Sequence, residues 1–169
     1  SYYKNLSFIS TEGACSAAFN SLEFIIVNRA TGQAMVNKKV GASGTYNSFY
    51  SNCNLTRPYH FFYYYNDSKT RGYAMDAFDS IPPGSLVLIS NYGSTTVNSR
   101  PEFIDKWMSD TLIFGTGKSI YHKLKSIGFN SIDSFYKNVP FALIASKDEN
   151  GKWKVHDQKI GISSTDILN

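Results

Sequence analysis

Residues 115–119 read Gly-Thr-Gly-Lys-Ser. They match the closing half of a phosphate-binding loop, in which backbone amides at a helix start cradle a phosphate and the lysine supplies charge. The opening glycine of that pattern is missing, because its position holds Leu112, so the segment reads as a glycine-rich lead-in to a helix. The imidazoles are His60, His122 and His156, and no two stand at the i, i+4 spacing that places two metal ligands on one helical face. No metal site and no cofactor is expected. A Gly-x-Ser-x-Gly elbow, which would expose a serine nucleophile, does not occur. Asp76 and Asp79 fall at i, i+3, where a solvated acidic helix face is the expectation rather than acid–base work. No catalytic residue is assigned and the chain is expected to be non-enzymatic.

Aromatic residues offer a different chemistry. Alternate residues of a strand share one face, so the aromatic run at residues 59–65 could stack sugars or single-stranded bases, although such a run more commonly forms a core strand. Tyr46 and Tyr50, in a stretch rich in Gly, Ser and Asn, are the corresponding loop candidates for carbohydrate contact. Cys15 and Cys53 allow either one disulfide or two buried thiols. Glycosylation sequons occur at Asn5, Asn54 and Asn66.

These residues must be held by elements the sequence also signals. Residues 2–10 read as a short strand, 11–20 as a loop and 22–27 as a β-branched, apolar strand. Turn chemistry at 28–32 predicts a hairpin whose second arm covers 33–40. A long loop at 41–54 leads to the aromatic strand. Asp67 or Ser68 can cap a helix that presents Ala74, Ala77, Phe78 and Ile81 on one stripe. Pro82-Pro83-Gly84 stops it, since proline cannot continue the helical ladder. Residues 85–90 are nearly continuously apolar and read as a central strand, followed by a polar turn region at 91–100. A helix at 101–108 opens on proline and buries Phe103, Ile104 and Trp107. Another at 119–127 ends at Gly128, which supplies the cap. A strand at 140–146, a reversal at 148–151 and a partner strand at 153–156 complete the pattern, with a polar tail from 161 expected to fray.

The chain has 169 residues and a formal net charge of +4, too mild for the basic surface of a nucleic-acid binder, so no nucleic-acid partner is expected. Hydrophobic residues at 42% supply a packed core and exclude wholesale disorder. No apolar run approaches the about 20 residues needed to cross a bilayer, so no membrane insertion is expected. The chain starts at Ser1 without a signal-peptide pattern and reads as a single domain, 1–169, excised from a larger protein.

The order of two segments carries a family likeness. Val27-Asn28-Arg29-Ala30-Thr31-Gly32-Gln33, followed by Ala77-Phe78-Asp79-Ser80-Ile81-Pro82-Pro83-Gly84-Ser85-Leu86-Val87-Leu88-Ile89, resembles the interleukin-like EMT inducer family, also called the GG domain. Leu124-Lys125-Ser126-Ile127-Gly128 is similar to that family's helix ending in Leu-Gly, and residues 135–146 to its aromatic-flanked strand. Residues 100–118 then stand as an insertion. The resemblance implies an α+β fold, a β-sandwich-like pair of sheets with two or three flanking helices. It also implies a non-catalytic module of the kind found in secreted cytokine-like proteins, a sugar-binding transferase stem, phage tail fibres and bacterial surface proteins. The family's acidic pair falls here on Gly93 and Ser94, its Arg-Asp pair on Tyr136 and Lys137, and its second Gly-rich turn on Ala145 and Ser146. Gly84 is retained, with the helix-to-strand turn as its physical task. The expected function is an interaction or carbohydrate-recognition module of an extracellular, cell-surface or virion-associated protein, with a glycan or protein partner. Tyr46, Tyr50, Asn91, Tyr92, Tyr136 and Lys137 are the candidate ligand contacts, and Gly84 and Gly128 the structural glycines. The alternative is a structural connector between neighbouring domains.

Overall fold

The structure is a computed structural model that describes residues 21–49, 51–52, 55–56, 58–64, 66–92, 102–134 and 141–161. In chain order the strands are β1 (Ser21–Asn28), β2 (Lys39–Val40), β3 (Ser43–Gly44), β4 (Ser51–Asn52), β5 (Leu55–Thr56), β6 (Phe61–Tyr64), β7 (Ser85–Tyr92), β8 (Phe141–Lys147) and β9 (Trp153–Ile160). The helices are α1 (Ser68–Ser80), α2 (Glu102–Ser109), α3 (Thr111–Phe114) and α4 (Ile120–Ser126). One sheet runs in the order β6-β1-β7-β8-β9 with every neighbouring pair antiparallel. β2–β3 and β4–β5 form separate two-stranded ribbons. The class is α+β, as expected.

Alternation along the strands decides what the sheet buries. Leu22, Phe24 and Ile26 of β1 share a face with Val87 and Ile89 of β7, and this face packs against the apolar stripe of α1 and against Ile120 and Leu124 of α4. Phe78 of α1 sits at the centre, its ring 5.0 Å from Phe24 and 5.7 Å from Trp153, both edge-on.

The stretch from α1 to β7 follows its local chemistry. The Asp67 side chain caps α1 by accepting from the Lys69 amide at 3.0 Å. Beyond Ile81 the prolines end the ladder, and Gly84 turns the chain at φ +75°, where a Cβ would lie 2.6 Å from Glu149 Oε1. Lys147 Nζ then donates to the freed carbonyls of Asp79 (3.2 Å) and Ile81 (2.9 Å) while lying over the Trp153 ring. A cation at a helix C-terminus opposes the negative end of the dipole. β7 emerges from this turn between β1 and β8 as an interior strand.

The hairpin expected over 28–40 is largely absent. The turn forms, with Asn28 Oδ1 accepting from the amides of Ala30 and Thr31, but the second arm keeps a single bridge, Val27 to Ala34. The chain departs because Asn37 is buried and fully bonded. Its Nδ2 donates to the carbonyls of Phe49 and His60, both at 2.8 Å, and its Oδ1 accepts from the Thr45 amide at 2.8 Å and the Ser48 hydroxyl at 3.1 Å. β1 takes β6 and β7 as neighbours instead.

Other boundaries moved less. β9 extends to Ile160 beyond the expected 156, through a bulge between Ile144 and Ala145. Gly128 ends α4 at φ +104° as expected, and a 3-10 helix, Asn130–Ser134, follows where none was expected. Residues 100–118, expected as an insertion, send Ile104 and Trp107 into the same core. Among the described residues no helix is long and apolar enough to cross a membrane. Residues 1–20, Cys53 and Asn54 lie outside the described residues, and with them the cysteine pairing, two of the sequons and the tail from 162.

Candidate functional site

The strands place Tyr46 and Asn91 apart. Tyr46 sits in a tight turn at φ +58°, its ring 6.0 Å from Phe61. Its hydroxyl donates to the Ser80 carbonyl at 3.2 Å and its carbonyl accepts from the Tyr63 hydroxyl at 3.1 Å. Burial pushes both phenols above their ordinary pKa, Tyr63 the further. Tyr46 is thus a half-buried strut between this turn and α1. Asn91 lies near the end of β7, where its Oδ1 accepts from the Phe141 amide at 2.7 Å. Tyr46 packs beside Phe61 of β6, and β1 separates β6 from β7 in the sheet. Tyr92 pairs in register with Ser21, and Tyr50, Tyr136 and Lys137 lie outside the described residues. Within the run at 59–65, Phe61 and Tyr63 face the helices and Phe62 is buried on the opposite face, so among its described residues only Tyr59 is exposed.

The histidines each have a hydroxyl or carboxylate neighbour. His60 Nδ1 bonds to Glu23 Oε1, whose other oxygen accepts from the Ser90 hydroxyl at 3.0 Å. The carboxylate stands between serine and imidazole, so the serine proton is directed away from the base that would have to remove it. Ser146 Oγ lies 2.8 Å from His156 Nε2, and among the described residues no carboxylate orients that ring. Ser119 caps α4 by accepting from the His122 amide at 3.2 Å, the role expected of the glycine-rich lead-in. Among the described residues no group of three His, Cys, Asp or Glu side chains could hold a metal ion.

The feature that stands out chemically is the corner from α2 to α3. Ile104 and Trp107 recur at i, i+3 and turn inward, and Asp110 follows on the same side. Asp110 meets Arg71 of α1 in a two-point ion pair, Nε to Oδ2 at 2.6 Å and a terminal nitrogen to Oδ1 at 2.7 Å, with the residues only 2% and 4% exposed. The Asp110 carbonyl accepts from the amides of Ile113 and Phe114, fixing the short α3. The Phe114 ring lies against Gly72, where a Cβ would come within 2.9 Å of it. With one side of the corner clamped in this way, the other is left to water: Leu112 is 89% exposed, Ile113 64% and Met108 40%.

Nothing local in the sequence announces this surface. Met108 and Leu112 stand at i, i+4, but the spacing alone does not say which side of a helix the rest of the fold will cover.

No protein-family model matches the chain, and no curated protein or solved structure matches it either.

Proposed function

We propose that the chain is a non-enzymatic interaction module that binds a protein partner through the α2–α3 corner. The observation that carries this is a set of aliphatic side chains, Met108, Leu112 and Ile113, standing beside a buried ion pair and left in water. Scattered single apolar residues are ordinary on a surface; adjacent ones on a braced projection favour recognition. Aliphatic side chains suit a protein pocket, whereas sugar stacking wants open aromatic faces, and of the candidate aromatics Phe61 and Tyr63 are packed inside while Tyr46 is half-buried against the core.

The same reading extends to kinship. The halted helix at Pro82-Pro83-Gly84 and the interior position of β7 support membership of the interleukin-like EMT inducer family, and with it a place in an extracellular or virion-associated multidomain protein. Burial of Ile25 and Phe62, on the face of the sheet away from the helices, supports a second layer there and hence the sandwich.

A photo-crosslinking residue at position 112 of the full-length protein, with exposed position 150 as control, tests the binding role. The expected result is a discrete adduct from 112 alone, identified by its cross-linked peptides. Equal labelling from both positions would overturn the surface. Turnover of a substrate that Ser146→Ala or Glu23→Gln abolishes would overturn the non-enzymatic reading.

A further inference from the structure

We infer that the open edge of the main sheet is closed to further strands by a device built into β9, in which Asp157 occupies the amide that an incoming strand would need. At the opposite edge β6 has only four residues and is flanked by Phe49, whose amide donates to the Phe62 carbonyl at 3.0 Å. β9 has eight residues, and among the described residues it has a strand beside it on one side only. A bare edge of that length is a template on which other chains pair.

The ladder fixes which peptide groups face outward. The Phe141 amide turns toward β7, where Asn91 Oδ1 accepts from it at 2.7 Å, so by alternation the peptide groups of Leu143 also face β7. Their partners across the ladder, Ile160 and Gln158, therefore direct theirs to the open edge. The Gln158 amide is already taken, since Asp157 Oδ1 accepts from it at 2.8 Å. The Gln158 side chain is tied down as well: its Nε2 donates to the Gly128 carbonyl at 3.2 Å and its Oε1 accepts from the Ser131 amide at 3.0 Å. Beside it the register passes from Ala145–Val155 to Ile144–Asp157, which leaves His156 as the extra residue of the bulge. The Ser146–His156 contact at 2.8 Å pins that residue to β8. An added strand thus meets a bent edge, a spent donor and a carboxylate where it would place a carbonyl, so oxygen repels oxygen. Exposed Lys154 and Lys159 keep the flanks charged.

Amide exchange and sedimentation velocity of the full chain test this, on the wild type, Asp157→Val, Asp157→Asn and the charge control Asp105→Ala. In dilute solution the Gln158 amide of the wild type is expected to exchange about fivefold more slowly than that of Asp157→Val, the worth of one hydrogen bond. Asp157→Val is expected to associate as its concentration rises, and the Ile160 amide to gain protection as it does. Asp157→Asn keeps an acceptor in the same place and is expected to match the wild type in both measurements, as is Asp105→Ala. Equal Gln158 exchange in the wild type and dilute Asp157→Val overturns the capped amide and the guard with it. An Asp157→Val chain that associates no more than Asp105→Ala overturns it too. So does association that leaves the Ile160 amide unprotected, because that is the mark of unfolding rather than of strand addition.

Discussion

Removing the Asp110 carboxylate tests whether the corner is braced by charge. In Asp110→Ala the Arg71 guanidinium keeps its place on α1 at 4% exposure but loses both short bonds to its carboxylate. A buried charge stripped of its counter-charge costs about 3–5 kcal/mol, a large part of the ~5–15 kcal/mol that holds a domain together. With a urea dependence of ~2 kcal/mol per molar, the unfolding midpoint falls by about 1.5–2.5 M. Replacing both partners, Arg71→Met with Asp110→Leu, removes the desolvation cost along with the attraction and should come within ~2 kcal/mol of wild type. The pair therefore predicts strong non-additivity, read by urea unfolding of the wild type, both single variants and the double. A single variant costing under ~1 kcal/mol, or a double variant costing the sum of the singles, would refute the brace.

Asn37→Ala strands two carbonyls and an amide, while the Ser48 hydroxyl keeps the Thr45 carbonyl at 2.8 Å, and at ~1 kcal/mol for each lost bond should cost about 2–4 kcal/mol in thermal unfolding. Asn37→Asp should recover little, because it turns a carboxylate oxygen toward the Phe49 and His60 carbonyls. Gly84→Ala must hold φ +75° and displace Glu149, for about 1–2 kcal/mol in chemical unfolding, and adding Glu149→Ala should return only the steric part. Lys147→Met leaves the end of α1 without its cation and should cost about 1–2 kcal/mol, with fraying of residues 77–81 visible in amide exchange. At the surface, Lys125 above all, and then Tyr121, hold the Asp133 carboxyl below its ordinary 3.8. A depressed carboxylate stabilises the fold above 3.8 and loses that contribution as pH falls through its folded value, so Lys125→Met should move the NMR midpoint of Asp133 back up toward 3.8.

What could be read in the sequence was what local chemistry decides. Proline, proline and glycine after an apolar stripe force a stop and a turn, and the nearly continuous apolar run that follows favours the sheet interior, so α1 and β7 were legible. Asn37 was not: in a polar stretch an asparagine looks solvated, and only the fold reveals that its amide lies among Phe49, His60, Thr45 and Ser48. The truncated hairpin follows from that one burial. Tyr46 misled for the opposite reason, since a loop tyrosine looks exposed until α1 arrives beneath it. The α2–α3 corner escaped notice because its brace joins Arg71 to Asp110, residues far apart in the chain with no periodic relation, and because exposure of Leu112 is a property of what fails to cover it.

The interior position of β1 also has a price in time. Both of its neighbours lie downstream: Phe24 pairs with Phe61, and Asn28 with Ser85. At ~5–20 residues per second of synthesis, Phe61 follows Phe24 by about 2–7 s and Ser85 follows Asn28 by about 3–11 s. Throughout that interval Phe24, Ile25, Ile26 and Val27 form an unbroken sticky segment with no native strand available beside it. β6 arrives first and can shield one edge, but the other stays open until β7 is made. The nascent chain is therefore most vulnerable to self-association before its central strand exists, and a holding chaperone would find its natural target in β1.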